Sequence, residues 1–210
     1  MVYPIGKRIA TPIVNMWIKK VNGIGNIPKQ NGFIVAANHS SYMDHFIVVC
    51  TIMPYLNKKV HFLSKKEHFD NPLKAAWHTY AGAIPLDREK GGKKALGWAI
   101  KALKHGKIIA IHPEGTRSLT GKLLRAKTGV ARLALEAKSA VLPVGLIGTF
   151  EILPKGKYIP KPKKAVMNIG KPMDFSKYYN KPMTKKLLRQ ITTKIMKEIA
   201  GLSKQKYNYD

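Results

Sequence analysis

Short apolar runs of strand length alternate with segments of helix length through most of this chain, and no other feature constrains its fold as tightly. Residues 33–37, 60–64, 82–87, 107–112 and 140–146 read as strands, and 165–169 as an edge strand. Between and after them, 41–53, 72–80, 95–103, 128–138 and 184–203 read as helices. The strand runs are nearly continuous in apolar residues, so both of their faces need cover. The expected fold is therefore α/β, a mixed and largely parallel central sheet flanked by helices on both faces.

Ahead of the first strand, Ile5, Ile9, Ile13, Met16 and Trp17 recur at helical spacing, with Lys7, Arg8, Lys19 and Lys20 at the ends. This predicts an N-terminal amphipathic helix over 5–20, weakened by Pro12, inside a membrane-facing segment 1–30. It either packs on the core or lies in a bilayer interface. The Gly23–Gly25 pair lacks a third glycine at the dinucleotide-binding offset and reads as a turn. The stretch 155–164, rich in Lys, Pro and Gly, reads as a basic loop, and the tail after Ser203 as frayed. The whole of 1–210 is expected to be one domain.

Lys plus Arg outnumber Asp plus Glu by 38 to 11, a formal charge of +27. Such an excess points to polyanions or anionic surfaces, and charge alone does not choose between nucleic acid and an anionic bilayer. Against nucleic acid, aromatic residues are not interleaved with the basic runs and no recognised binding motif occurs. Cys50, the one cysteine, excludes an internal disulfide and a thiolate metal site. The first twenty residues do not resemble a secretory leader, and no run of about 18 uncharged apolar residues occurs. A peripheral protein at the cytoplasmic face of a membrane is the expectation.

The chemistry gathers after three strands. Asn38-His39 closes the first, and Asp44 follows five residues after the histidine. Five residues span ~500° of ideal helix, so the two share a face only if His39 precedes the first full turn and Asp44 reaches back. In that arrangement the carboxylate fixes one imidazole nitrogen as a donor and leaves the other as a general base. After a later strand, Pro113-Glu114-Gly115-Thr116-Arg117-Ser118 supplies a guanidinium, two hydroxyls and a permissive glycine, a set suited to phosphate. Gly121-Lys122 does not extend it into a nucleotide-binding loop, because Gly115 is one position too far upstream and Leu123 stands where Ser or Thr is needed. Arg88, beyond the 82–87 strand, would bracket an anion with Arg117 if those strand ends face one way. The remaining histidines show no helical pairing with an acid that suggests a metal site, and no catalytic metal is expected.

Four blocks in order give the chain a resemblance to the glycerophospholipid acyltransferase family, in particular its 1-acyl-glycerol-3-phosphate acyltransferases. They are Asn38-His39-Ser40-Ser41-Tyr42-Met43-Asp44, the Gly82 to Arg88 stretch, His112-Pro113-Glu114-Gly115-Thr116-Arg117-Ser118, and Val141-Leu142-Pro143-Val144. The resemblance implies acyl transfer from a thioester, carried on coenzyme A or on an acyl-carrier protein, to the free hydroxyl of a lysophospholipid. It implies His39 as general base, Asp44 as its orienting acid, and no cofactor beyond the donor. Arg88 and Arg117 are similar to the family's phosphate-binding arginines, with Glu114, Gly115 and Thr116 shaping the acceptor site. Lys127 either adds to that anion pocket or stays solvated. The acceptor implied is lysophosphatidic acid, with other lysophospholipids open, at an anionic membrane surface and with no nucleic acid as partner. His112 departs from the family's usual phenylalanine and either packs behind the loop, the favoured reading, or adds a second titrating group.

Overall fold

The computed structural model describes residues 6–86 and 93–209. Among these residues seven strands form one sheet: β1 (Ile18–Asn22), β2 (Ile34–Ala37), β3 (Val60–Lys65), β4 (Ala83–Leu86), β5 (Ile108–Ile111), β6 (Val141–Ile147) and β7 (Ala165–Ile169). Their order is β1-β7-β6-β2-β5-β3-β4. The block β6-β2-β5-β3-β4 is parallel throughout. β7 runs antiparallel to β6, and β1 pairs parallel with β7 at the edge. The sheet is mixed and mostly parallel, as the apolar runs predict.

Alternation along the strands divides the core in two. Ile34, Ala36 and Ile109 face one layer, built with α4 (Lys93–Lys104), α5 (Gly129–Glu136) and α7 (Lys185–Leu202). Val35, Ala37, Ile108 and Ala110 face the other, where α1 (Thr11–Asn15) and α2 (Met43–Leu56) pack. Central strands buried on both sides hold the fold together, since cutting a fully buried Ile34 or Ile109 to alanine costs about 2–5 kcal/mol. On α7, Leu188, Ile191, Ile195 and Ile199 form the buried stripe, and the Thr184 hydroxyl caps the helix by accepting from the Leu187 N–H at 3.1 Å. The end of α7 reaches β6 because Gly145 has no side chain. A Cβ there would lie 2.3 Å from the Leu202 carbonyl carbon.

Connectivity decides where a site can form. The chain leaves β2 through α2 towards β3, and leaves β5 through α5 in the opposite direction towards β6. β2 and β5 are neighbours, so their carboxyl ends form the topological switch point of the parallel sheet, the place where such sheets bind ligands. α3 (Pro72–Tyr80) joins β3 to β4, and right-handed crossover places it on the α2 side of the sheet.

Two expectations need correction. The N-terminal helix expected over 5–20 is shorter among the described residues: a π-helical stretch at Gly6–Ala10 runs into the five-residue α1, helix ends at Asn15, and Ile18–Asn22 is strand β1 instead. Backbone pairing with β7, including an Ala165 N–H to Trp17 carbonyl bond of 2.7 Å, outweighs the helical spacing. Thr11 and Val14 are the buried side of α1, while Ile9, Ile13 and Met16 are exposed. The tail after Ser203 is not frayed. Tyr207 is buried, and the Gln205 and Tyr207 side chains bond the 121–126 loop. A short helix, α6 (Thr149–Ile152), follows β6 without having been legible in the sequence.

Candidate active site

Asn38 and His39 leave the end of β2, and their placement begins with the asparagine. Its Nδ2 donates to the Leu146 carbonyl at 3.0 Å, and its Oδ1 accepts from the Leu146 N–H at 2.7 Å. The buried amide thus imitates a strand neighbour and ties the corner to β6. His39 follows, outside the helix, while Asp44 lies in the first turn of α2. The geometry is the one the spacing demands, with His39 Nδ1 and Asp44 Oδ2 2.9 Å apart.

Asp44 is fully buried, and the Ser40 and Ser41 N–H groups each donate to the same Oδ2 at 2.7 Å. Burial pushes its pKa upward, but the His39 hydrogen bond and charge, with His112 and Thr149 helping, hold the carboxyl below its ordinary value. The start of α2 favours a carboxylate as well. An ionised Asp44 can only accept, so His39 carries its proton on Nδ1 and leaves the lone pair on Nε2.

The Pro113–Ser118 loop closes over this corner. Glu114 is buried, with Oε1 accepting from the His39 N–H and Oε2 from the Leu124 N–H, each at 2.7 Å. Burial pushes its pKa up to about 7 against those two amides. Its carboxylate therefore braces the corner from inside. The Ser118 N–H adds a 2.8 Å bond to the His39 carbonyl. Gly115 takes φ +71°, a left-handed turn that keeps the loop tight, and the Lys127 side chain runs alongside, 3.2 Å from where a Cβ would stand. Thr116 is exposed on the loop surface.

Arg117 crosses back to the first block. Its guanidinium lies 3.5 Å from the centre of the Tyr42 ring, and its buried Nη1 has no hydrogen-bond partner among the described residues. A buried guanidinium atom without an acceptor is costly, and the strand ends beside the His39 block are where an anionic oxygen would meet it. Tyr42, the platform, lies between His39 and Asp44 in the chain. No pattern in the sequence singled it out.

His112 closes β5 and lies against His39, with ring centroids 3.9 Å apart and 8° between planes. Its Nδ1 is 3.0 Å from the Ala37 carbonyl and 3.1 Å from that of Asn38. Carbonyls only accept, so Nδ1 bears the proton. Burial, and secondly His39, pull its pKa down to about 3. The structure thus brings together His39, Asp44, Glu114, Gly115, Arg117 and Lys127, with Thr116 at the rim. Arg88 lies outside the described residues. Among the described residues, no three His, Cys, Asp or Glu side chains are grouped to hold a metal ion.

A hydrogen-bonded histidine and aspartate at a sheet switch point, beside an arginine whose buried Nη1 has no acceptor among the described residues, is an arrangement suited to proton transfer next to an anionic group. The chain belongs to the acyltransferase family, whose profile matches residues 19–147. It is 31% identical over 168 residues to the 1-acyl-sn-glycerol-3-phosphate acyltransferase of Bacillus subtilis, covering 80% of each chain. Over 181 residues it is 28% identical to the enzyme of that name from Streptococcus pneumoniae, covering 85% of this chain and 64% of the relative. The crystal structure of the 1-acyl-sn-glycerophosphate acyltransferase of Thermotoga maritima superposes with a TM-score of 0.75 at 29% identity, over 97% of this chain and 80% of that one.

Proposed function

We propose that this acyltransferase moves a fatty acyl group from a thioester donor to the free hydroxyl of 1-acyl-glycerol-3-phosphate, forming phosphatidic acid, with His39 as general base. The observation that carries the reading is the 2.9 Å His39–Asp44 hydrogen bond at the strand end, beside an Arg117 whose buried Nη1 has no acceptor among the described residues. His39 Nε2 takes the hydroxyl proton while Asp44 stabilises the imidazolium, and the hydroxyl oxygen bonds to the thioester carbonyl carbon. The C–S bond then breaks, and the departing thiolate recovers the proton from His39. Arg117 and Lys127 bind the acceptor phosphate, each charge-assisted bond contributing about 1.5–3 kcal/mol. Arg88 joins them on the strength of the family resemblance. The names of the relatives support lysophosphatidic acid as acceptor, and the donor is acyl-coenzyme A or acyl-carrier protein.

The reaction belongs at an anionic membrane surface. No helix among the described residues is long and apolar enough to cross a bilayer. The sheet face carrying α1, α2 and α3 nevertheless exposes Ile13, Phe46, Tyr55, Leu73, Trp77 and Tyr80, on a chain of charge +27. Apolar side chains on a basic background suit a shallow interfacial contact. The deciding experiment gives purified protein a panel of lysophospholipids with both donor types and identifies products by mass spectrometry. Phosphatidic acid is the expected product, lost by about 10²–10⁴-fold in a folded His39→Ala variant, while Arg117→Ala chiefly raises the acceptor KM. Near-full activity in His39→Ala would overturn the mechanism.

A further inference from the structure

We propose that His112 is a positioning residue for His39, its imidazole lying flat against the His39 ring and steadying both that ring and the positive charge it acquires during transfer. The role rests on the reading of His39 as general base. Asp44 meets His39 only at the Nδ1 edge. A ring held at one edge can rock about its Cβ–Cγ bond, and a second ring packed on its face removes that freedom. The 3.9 Å, 8° stack supplies that face.

His112 can serve because it is itself fixed. Its Nδ1–H is shared by the Ala37 and Asn38 carbonyls at the end of β2, while its backbone follows directly on β5. The two strands on either side of the switch point therefore grip the stack between them. Burial and the neighbouring His39 keep His112 neutral over the working range, its pKa being pulled down to about 3. A neutral π-face attracts an adjacent imidazolium, whereas a second imidazolium would repel it. Among the described residues, the titratable groups around His39 include Asp44 and His45 from α2, His112 after β5, and Glu114 at its backbone N–H. Asp44 meets the edge of the ring and His112 meets its face.

Three variants separate a positioning role from mere packing. His112→Leu fills the space without a π-face, His112→Gln keeps a donor for the two carbonyls without a ring, and His112→Phe restores the face without the donor. The Leu and Gln variants are expected to lose about tenfold in kcat, with the acceptor KM unchanged. The acid limb of the kcat–pH profile should move to lower pH in both, because the imidazolium has lost a stabilising neighbour. His112→Phe should recover most of the rate and the position of the limb. Unchanged kcat and pH profile in a folded Leu or Gln variant overturns the role, as does a Phe variant no better than either. His39→Ala in the same assay keeps the two readings apart. If it is inactive while His112→Leu is fully active, only the positioning role fails. If it is active, the base itself fails.

Discussion

Replacing Asp44 by asparagine changes almost no volume and tests the proposed base at its most sensitive point. Three donors converge on Oδ2, the His39 Nδ1–H and the Ser40 and Ser41 N–H groups. An asparagine oxygen can keep the two backbone bonds, but its neutral amide cannot stabilise an imidazolium. Asp44→Asn is expected to fold and to lower kcat by about 10²–10⁴-fold, read as initial rates with acceptor saturating. A loss confined to KM would remove Asp44 from the chemistry. Glu114 illustrates the limit of reading residues by motif. The sequence places it in the acceptor site with Arg117, whereas its oxygens hold the His39 and Leu124 amides.

At the scale of elements, the C-terminal tail and the 121–127 loop belong together. Gln205 accepts from the Leu123 N–H at 2.9 Å and donates to the Gly121 carbonyl at 3.2 Å, and the Tyr207 hydroxyl accepts from the Ala126 N–H at 3.0 Å. That loop carries Leu124, whose amide braces Glu114, and ends on Lys127. Tyr207→Phe leaves the Ala126 N–H buried without its acceptor, and urea denaturation should show a loss of about 1–3 kcal/mol. Deleting 205–210 should leave the helix content of α7 intact by circular dichroism and still reduce acyl transfer. Unaltered kcat and KM in the truncated protein would disconnect tail from site. The sequence held only a weak signal for this in Tyr207 and Tyr209, since two aromatic rings without periodicity name no partner.

For the whole molecule, pH and the membrane give independent tests. Burial pulls His45 and His112 down to about 3 and His61 to about 4, so each is neutral when folded and takes up a proton on unfolding below about 6.5. Glu114 works in the opposite direction, since its folded value near 7 makes it take up a proton on folding between about 4.5 and 7. From pH 6.5 to 4.5, unfolding therefore binds a net of about two protons, and stability should fall as pH falls. The urea midpoint against pH measures this, and His112→Phe should reduce the slope by about one proton. A flat profile would contradict the burial of these rings. For the membrane, sedimentation with vesicles containing phosphatidylglycerol should capture the protein, and Leu73→Asp with Trp77→Asp should weaken capture with activity on soluble short-chain acceptor retained. Equal capture of wild type and variant would move the contact off α3.

By itself the sequence determined the alternation of elements and the distance between His39 and Asp44, because hydrophobic period and residue spacing are local properties of a chain. The buried runs of β2, β5 and β6 could only be central strands, and a histidine five residues before an aspartate could meet it only across a helix start. Tertiary structure decided the rest. Whether 18–22 became helix or strand depended on β7, about 145 residues away, offering a paired edge. Whether His112 stood behind the loop or against His39 depended on β2 and β5 being neighbours. The role of Tyr42 beneath Arg117, and of the tail beneath the loop, likewise came from contacts between segments far apart in sequence. Contacts of that kind are set by strand order, which no local pattern encodes.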